Sequence, residues 1–136
     1  MKITGGQILK VSAEKHKDIP NQGMNVNISI NNVKIEKEKI SIAYTYTVNY
    51  APEMAVISIT GELTATENEK VAKELLEKWI ANKNLPEVTA SEIVTAITYT
   101  GSAVGTLLAF AVGVPSPINI QKARIQNPKT TENKAA

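Results

Sequence analysis

The chain has 136 residues, of which 43% are hydrophobic and 21% charged, and this suits one folded domain with a buried core. With 15 basic and 13 acidic side chains, its net charge of +2 gives no electrostatic reason to expect nucleic acid or an anionic membrane as the partner. There is no cysteine and a single histidine, His16, which excludes thiol catalysis, disulfides and cysteine-ligated zinc, so neither a cofactor nor an enzymatic activity is expected.

Met1 to Gly6 does not open a secretory signal, because no apolar run follows before charges resume at Lys10, Glu14 and Lys15. With the missing cysteine, this predicts a cytoplasmic protein. Gln7 to Lys15 alternates loosely through Ile8, Val11 and Ala13 and predicts a strand. His16 to Gly23, with Pro20, reads as a loop. Met24 to Asn31 alternates strictly, with Met24, Val26, Ile28 and Ile30 on one face and Asn25, Asn27, Ser29 and Asn31 on the other. A charged tip, Glu36 to Lys39, leads into a third strand, Ile40 to Tyr50. Ala51-Pro52-Glu53 turns the chain into a fourth, Met54 to Leu63. Short links between the last three strands predict an antiparallel meander.

The second half predicts helices. Thr66-Glu67-Asn68-Glu69 has the spacing of a capping box, with the Thr66 hydroxyl as cap and Glu69 reaching back. The helix it opens runs to about Asn82, with an apolar stripe of Val71, Ala72, Leu75, Leu76, Trp79 and Ile80. Pro86 separates it from a second helix that starts between Glu87 and Ser91, with Thr89 or Ser91 as cap. Gly113, Pro115 and Pro117 end that helix. A short final strand is expected within Ile118 to Ile125, closing one domain over 1–126, and residues 127–136 read as a flexible polar tail. The fold class is therefore α+β, an antiparallel β-meander of about four strands followed by two α-helices on one face.

Between Glu92 and Lys122 the chain carries no charged side chain. Ile93 to Val114 is long enough to span a bilayer, which takes about 20 residues, and contains Gly101-x-x-x-Gly105. Membrane insertion through 93–114 is thus one alternative, and a small enzyme whose pocket is not visible in the sequence is another. The soluble reading rests on patterning: Thr95, Thr98, Ser102 and Thr106 form a weakly polar stripe, opposite Ile93, Ile97, Val104, Leu107, Leu108 and Ala111. Thr95, Thr98, Gly101, Ser102, Gly105 and Thr106 then make a candidate interface, either with another subunit or with the first helix.

Tyr44, Tyr46 and Tyr50 share one strand face. They are a candidate binding face for a peptide, or the floor on which the helices pack. His16, between Lys15 and Lys17, reads as a surface residue. Glu53 and Glu62 lie too far apart along the fourth strand for acid–base work.

This order of elements resembles the SecB-type export chaperones over roughly Ile8 to Ile120. A curved antiparallel sheet ends at Ile59-Thr60-Gly61-Glu62-Leu63, a helix and a long apolar helix follow, and the exit is bounded by proline, Val114-Pro115-Ser116-Pro117-Ile118-Asn119. The turn Tyr50-Ala51-Pro52-Glu53 and the exit Pro115-Ser116-Pro117-Ile118 are also similar to those of small archaeal proteins of unassigned function. The SecB resemblance implies a non-enzymatic chaperone-like binder of unfolded protein segments that assembles as a homo-oligomer through sheet edges and long helices. Its tail departs from the acidic tail of that family, with Lys122, Arg124, Lys129 and Lys134.

Overall fold

Alternating apolar and polar side chains lay down the sheet before any helix appears. The computed structural model describes residues 1–118. Its strands are β1 (Lys2–Lys15), β2 (Gly23–Glu36), β3 (Lys39–Ala51) and β4 (Ala55–Thr66), followed by helices α1 (Glu69–Asn82) and α2 (Glu87–Val112). The strand order is β1-β4-β3-β2, all antiparallel. β2, β3 and β4 form the expected meander, and β1 pairs with β4. The 16–22 loop therefore crosses the end of the sheet to reach β2. It is tied to the β3–β4 turn on the way: the His16 N–H donates to the Met54 carbonyl (2.7 Å) and the Gln22 N–H to the Ala51 carbonyl (3.0 Å).

β1 and β2 are both longer than their sequence pattern. β1 begins at Lys2, opposite Thr66, because residues 2–6 find partners on the extended end of β4. β2 continues past Asn31 to Glu36 through a register shift between Ile30 and Asn32. One extra residue reverses the alternation there, so Val33 and Ile35 return to the face used by Ile30. The strict pattern stops where the bulge sits, although the strand does not.

One face of the sheet is the core. Ile40, Ile42, Tyr44, Tyr46, Val48 and Tyr50 of β3 are buried with Ile57, Ile59 and Leu63 of β4. α1 packs over β2, and α2 over β1, β3 and β4. The other face is exposed to half-buried and rich in small polar residues such as Ser12, Asn27, Thr47 and Ser58, which form one row across the strands.

The first helix starts later than the capping box predicts. Thr66 is spent as the last residue of β4, paired with both Lys2 and Lys39. The cap is Asn68, whose Oδ1 accepts from the Lys70 N–H (2.9 Å). Glu67 accepts from the Asn68 N–H (2.8 Å) and pairs with the Met1 ammonium group (2.7 Å). α2 begins after Pro86 with no side-chain cap, so neither Thr89 nor Ser91 serves. It ends at Gly113, whose φ of 70° suits a residue without a Cβ. The Val114 N–H closes that end on the Ala109 carbonyl (3.0 Å).

Candidate functional site

Two glycines decide how α2 lies on the sheet. Its buried residues are Ile93, Ile97, Gly101, Gly105 and Ala109, each four residues on from the last. A Cβ on Gly101 would sit 2.5–2.6 Å from three atoms of the Tyr46 ring, so only a bare backbone can rest on that tyrosine. A Cβ on Gly105 would meet Pro117 Cγ at 2.8 Å. Residues 113–118 turn back along the helix to bring Pro117 there. The Thr106 and Ser116 hydroxyls share a hydrogen bond (2.6 Å), and the Tyr50 hydroxyl donates to the Pro115 carbonyl.

This placement redistributes the candidate interface. Gly101, Gly105 and Thr106 meet Tyr46, Pro117 and Ser116 of their own chain, and none of the three faces α1. Ser102 is half-buried, and its carbonyl accepts from the Thr106 hydroxyl (2.7 Å). Thr95 and Thr98 are exposed, and the Thr95 hydroxyl is turned back to the Ser91 carbonyl (2.8 Å). The residues expected on the sheet side are redistributed too. Ile93 and Ile97 are there, whereas Leu107 is 68% exposed and Ala111 is exposed. The cause is steric: contact with the Tyr46 ring selects the narrowest strip of the helix, and the small residues claim it.

Tyr44, Tyr46 and Tyr50 form the floor beneath the helices, each 1% exposed. Burial pushes the Tyr44 and Tyr50 phenols above their ordinary value, since a phenolate there loses its hydration. His16 is on the surface, 3.7 Å from Glu14. Glu53 lies in the β3–β4 turn and Glu62 on the opposite face from the core, so the fold does not bring them together. Among the described residues, no group of three or more His, Asp or Glu is placed to hold a metal.

Where the helix layer meets the sheet edges, the surface opens into grooves. One of about 620 Å³ runs between β1 and α2, lined by Gly6, Ile8, Tyr44, Leu63, Ala96 and Tyr99. Another of about 440 Å³ lies beside β2, with Ile30, Trp79, Leu85 and Ala90 in its walls and the Lys83 ammonium 5.3 Å from the Trp79 ring centre. A third, of about 700 Å³, sits at the crossover end near His16, Met24, Tyr50 and Glu53. The first two join apolar walls to an outer strand of the sheet. No local sequence pattern announces them, because each is made by residues far apart in the chain.

No family model and no curated protein matches the sequence, so the archaeal likeness gains no support. Among solved structures, the fold is similar to the Mycobacterium tuberculosis Rv1957 SecB-like chaperone, determined in complex with a ChAD peptide from the Rv1956 HigA1 antitoxin. The match covers 92% of this chain and 92% of that one, with a TM-score of 0.58 and 13% sequence identity. At that identity the likeness is one of fold: a four-stranded antiparallel sheet with its helices on one face.

Proposed function

We propose that this chain is a SecB-like, non-enzymatic binding protein that holds extended protein segments. It needs no cofactor, works in the cytoplasm and acts as a homo-oligomer. The observation that carries this reading is the fold match along almost the full length of both chains to a chaperone bound to a peptide. The grooves beside β1 and β2 fit the role, since both combine an open strand edge with apolar walls.

The test is dilution of a chemically denatured client protein into buffer containing the chain, followed by light scattering. Suppressed aggregation without any nucleotide is the expected result. Unchanged scattering at a large excess of the chain would remove the chaperone reading.

A further inference from the structure

The groove beside β2 has one charge. Among the described residues that line it, Lys83 alone is ionic, and the rest of its wall is apolar or amide. Lys83 is also held in place. It closes α1 in the left-handed region, with φ 54° and ψ 31°, and its N–H donates to the Trp79 carbonyl (2.8 Å). Its ammonium group stands 5.3 Å from the centre of the Trp79 ring, and Trp79 is only 7% exposed. A buried ring is a fixed wall, so the cation that rests on it has a preferred position. Among the described residues no carboxylate forms an ion pair with Lys83, whereas Lys15 and Lys73 have Asp18 and Glu69.

A left-handed helix end ordinarily falls to glycine, which has no Cβ to strain there. A lysine at that point gives up some stability and keeps a long cationic side chain at the mouth of the groove. An unfavourable backbone position kept for a particular side chain points to a use for that side chain.

We infer that this groove selects extended segments in which a carboxylate side chain accompanies apolar ones. The inference rests on the proposed function and names the class of client that this groove takes. In an extended segment, an apolar residue and an acidic one two positions on point to the same side, about 7 Å apart. The apolar side chain packs against Trp79 and Leu85, and the carboxylate pairs with the Lys83 ammonium group.

The surroundings place the selection in side chains. β2 is an outer strand, but its ladder is broken by the register shift between Ile30 and Asn32, and Ile30 is in the groove wall. A bulged edge offers an incoming strand few continuous backbone bonds. The groove, at about 440 Å³, has room for a few side chains of a segment and not for a folded domain. A single cation also favours a protein segment over nucleic acid, whose repeated phosphates call for a basic track.

Trp79 is the only tryptophan in the chain, so its fluorescence reports what enters this groove. The probes are three tryptophan-free peptides of alternating leucine and serine, identical except for one central glutamate, glutamine or lysine. The glutamate peptide is expected to shift the Trp79 emission and to bind about two- to five-fold more tightly than the glutamine peptide, the range of an exposed ion pair. The lysine peptide is expected to bind most weakly, and the differences to shrink as salt rises. Lys83→Gly is expected to remove the preference while holding or raising the melting temperature, because glycine suits the left-handed cap. Lys83→Glu, a second variant, is expected to reverse the preference in favour of the lysine peptide.

Equal binding of the three peptides overturns the selection and leaves the client-holding reading in place. So does a preference of the unmodified chain for the lysine peptide, or a preference for glutamate that survives Lys83→Gly. Binding with no change in Trp79 emission places the segment outside this groove and overturns the inference as well. Tighter binding of oligothymidylate at Trp79 overturns it in favour of single-stranded nucleic acid. If no peptide binds while aggregation of the denatured client is still suppressed, this inference falls alone. If no peptide binds and scattering is unchanged, it falls together with the chaperone reading.

Discussion

Ile97 and Leu107 stand ten residues apart on α2 and are chemically near-equivalent, yet Ile97 has no exposed surface and Leu107 is 68% exposed. The inner face of the helix is built of small and branched residues fitted to Tyr46. The outer face carries large side chains that touch little of their own chain. Hydrophobicity alone does not distinguish the two, because both are uncharged. What separates them is the size of the residue at closest approach: a glycine lets the sheet in, and a large side chain on that strip would hold it off.

The comparison is tested most sharply by truncating each face in turn. Ile97→Ala leaves a cavity over the sheet and is expected to cost about 2–5 kcal/mol in denaturant unfolding. A loss comparable to that of a surface change would mean that the helix is not seated as described. Gly101→Ala comes next, at about 1–3 kcal/mol, because its methyl group enters the space of the Tyr46 ring and the strain outweighs the helix propensity of alanine. If this variant gains stability, α2 stands further from the sheet than the structure places it.

The inner face also predicts a response to pH. The Tyr44 and Tyr50 phenols are raised by burial, so their contribution to stability is complete below the ordinary phenol value of 10.0 and is lost as pH rises toward their folded values. The melting temperature is expected to fall above pH 10, and to fall less in Tyr44→Phe. An equal fall in both would assign the effect to other groups.

The helix starts separate α1 from α2. Asn68→Ala removes the only side-chain cap on either helix start and is expected to cost about 1 kcal/mol. The smallest effect belongs to the outer face. Leu107→Ser is expected to change the stability of dilute, monomeric protein by less than about 0.5 kcal/mol. A large loss would show that this face of α2 is already covered within the chain.

Much of this architecture is legible in the residues. The alternation from Ile40 to Tyr50 identifies β3 and its buried face, and the periodicity around Leu75 and Trp79 identifies α1. Three features stay hidden for physical reasons. A bulge at Asn31 reverses the pleat, so β2 continues where its pattern ends. Thr66 fits the capping box, but the ladder with Lys2 and Lys39 claims it first. On α2, a pattern of uncharged residues records amphipathicity poorly: the small residues read as one contact with another subunit or with the first helix, whereas Gly101 and Gly105 meet Tyr46 and Pro117 and Thr95 and Thr98 are exposed. The signal was the glycine pair itself: where Gly101 and Gly105 mark close approach, Tyr99, Ala103 and Phe110 must lie on the far side. The candidate site was less legible, because its grooves join Gly6 to Ala96 and Ile30 to Trp79, which no local pattern connects.

The pairing of β1 with β4 has a kinetic meaning. β2, β3 and β4 are joined by tight turns and can zip together from contacts near in sequence. β1 must wait, because even its nearest partner pair, Lys15 with Ala55, closes a loop that contains all of β2 and β3. It is also an edge strand with two register shifts, so it can leave while the meander and its helices stay folded. Amide hydrogens of β1 are therefore expected to exchange with solvent sooner than those of β3. On that expectation, one wall of the groove beside β1 is the strand that joins the sheet last.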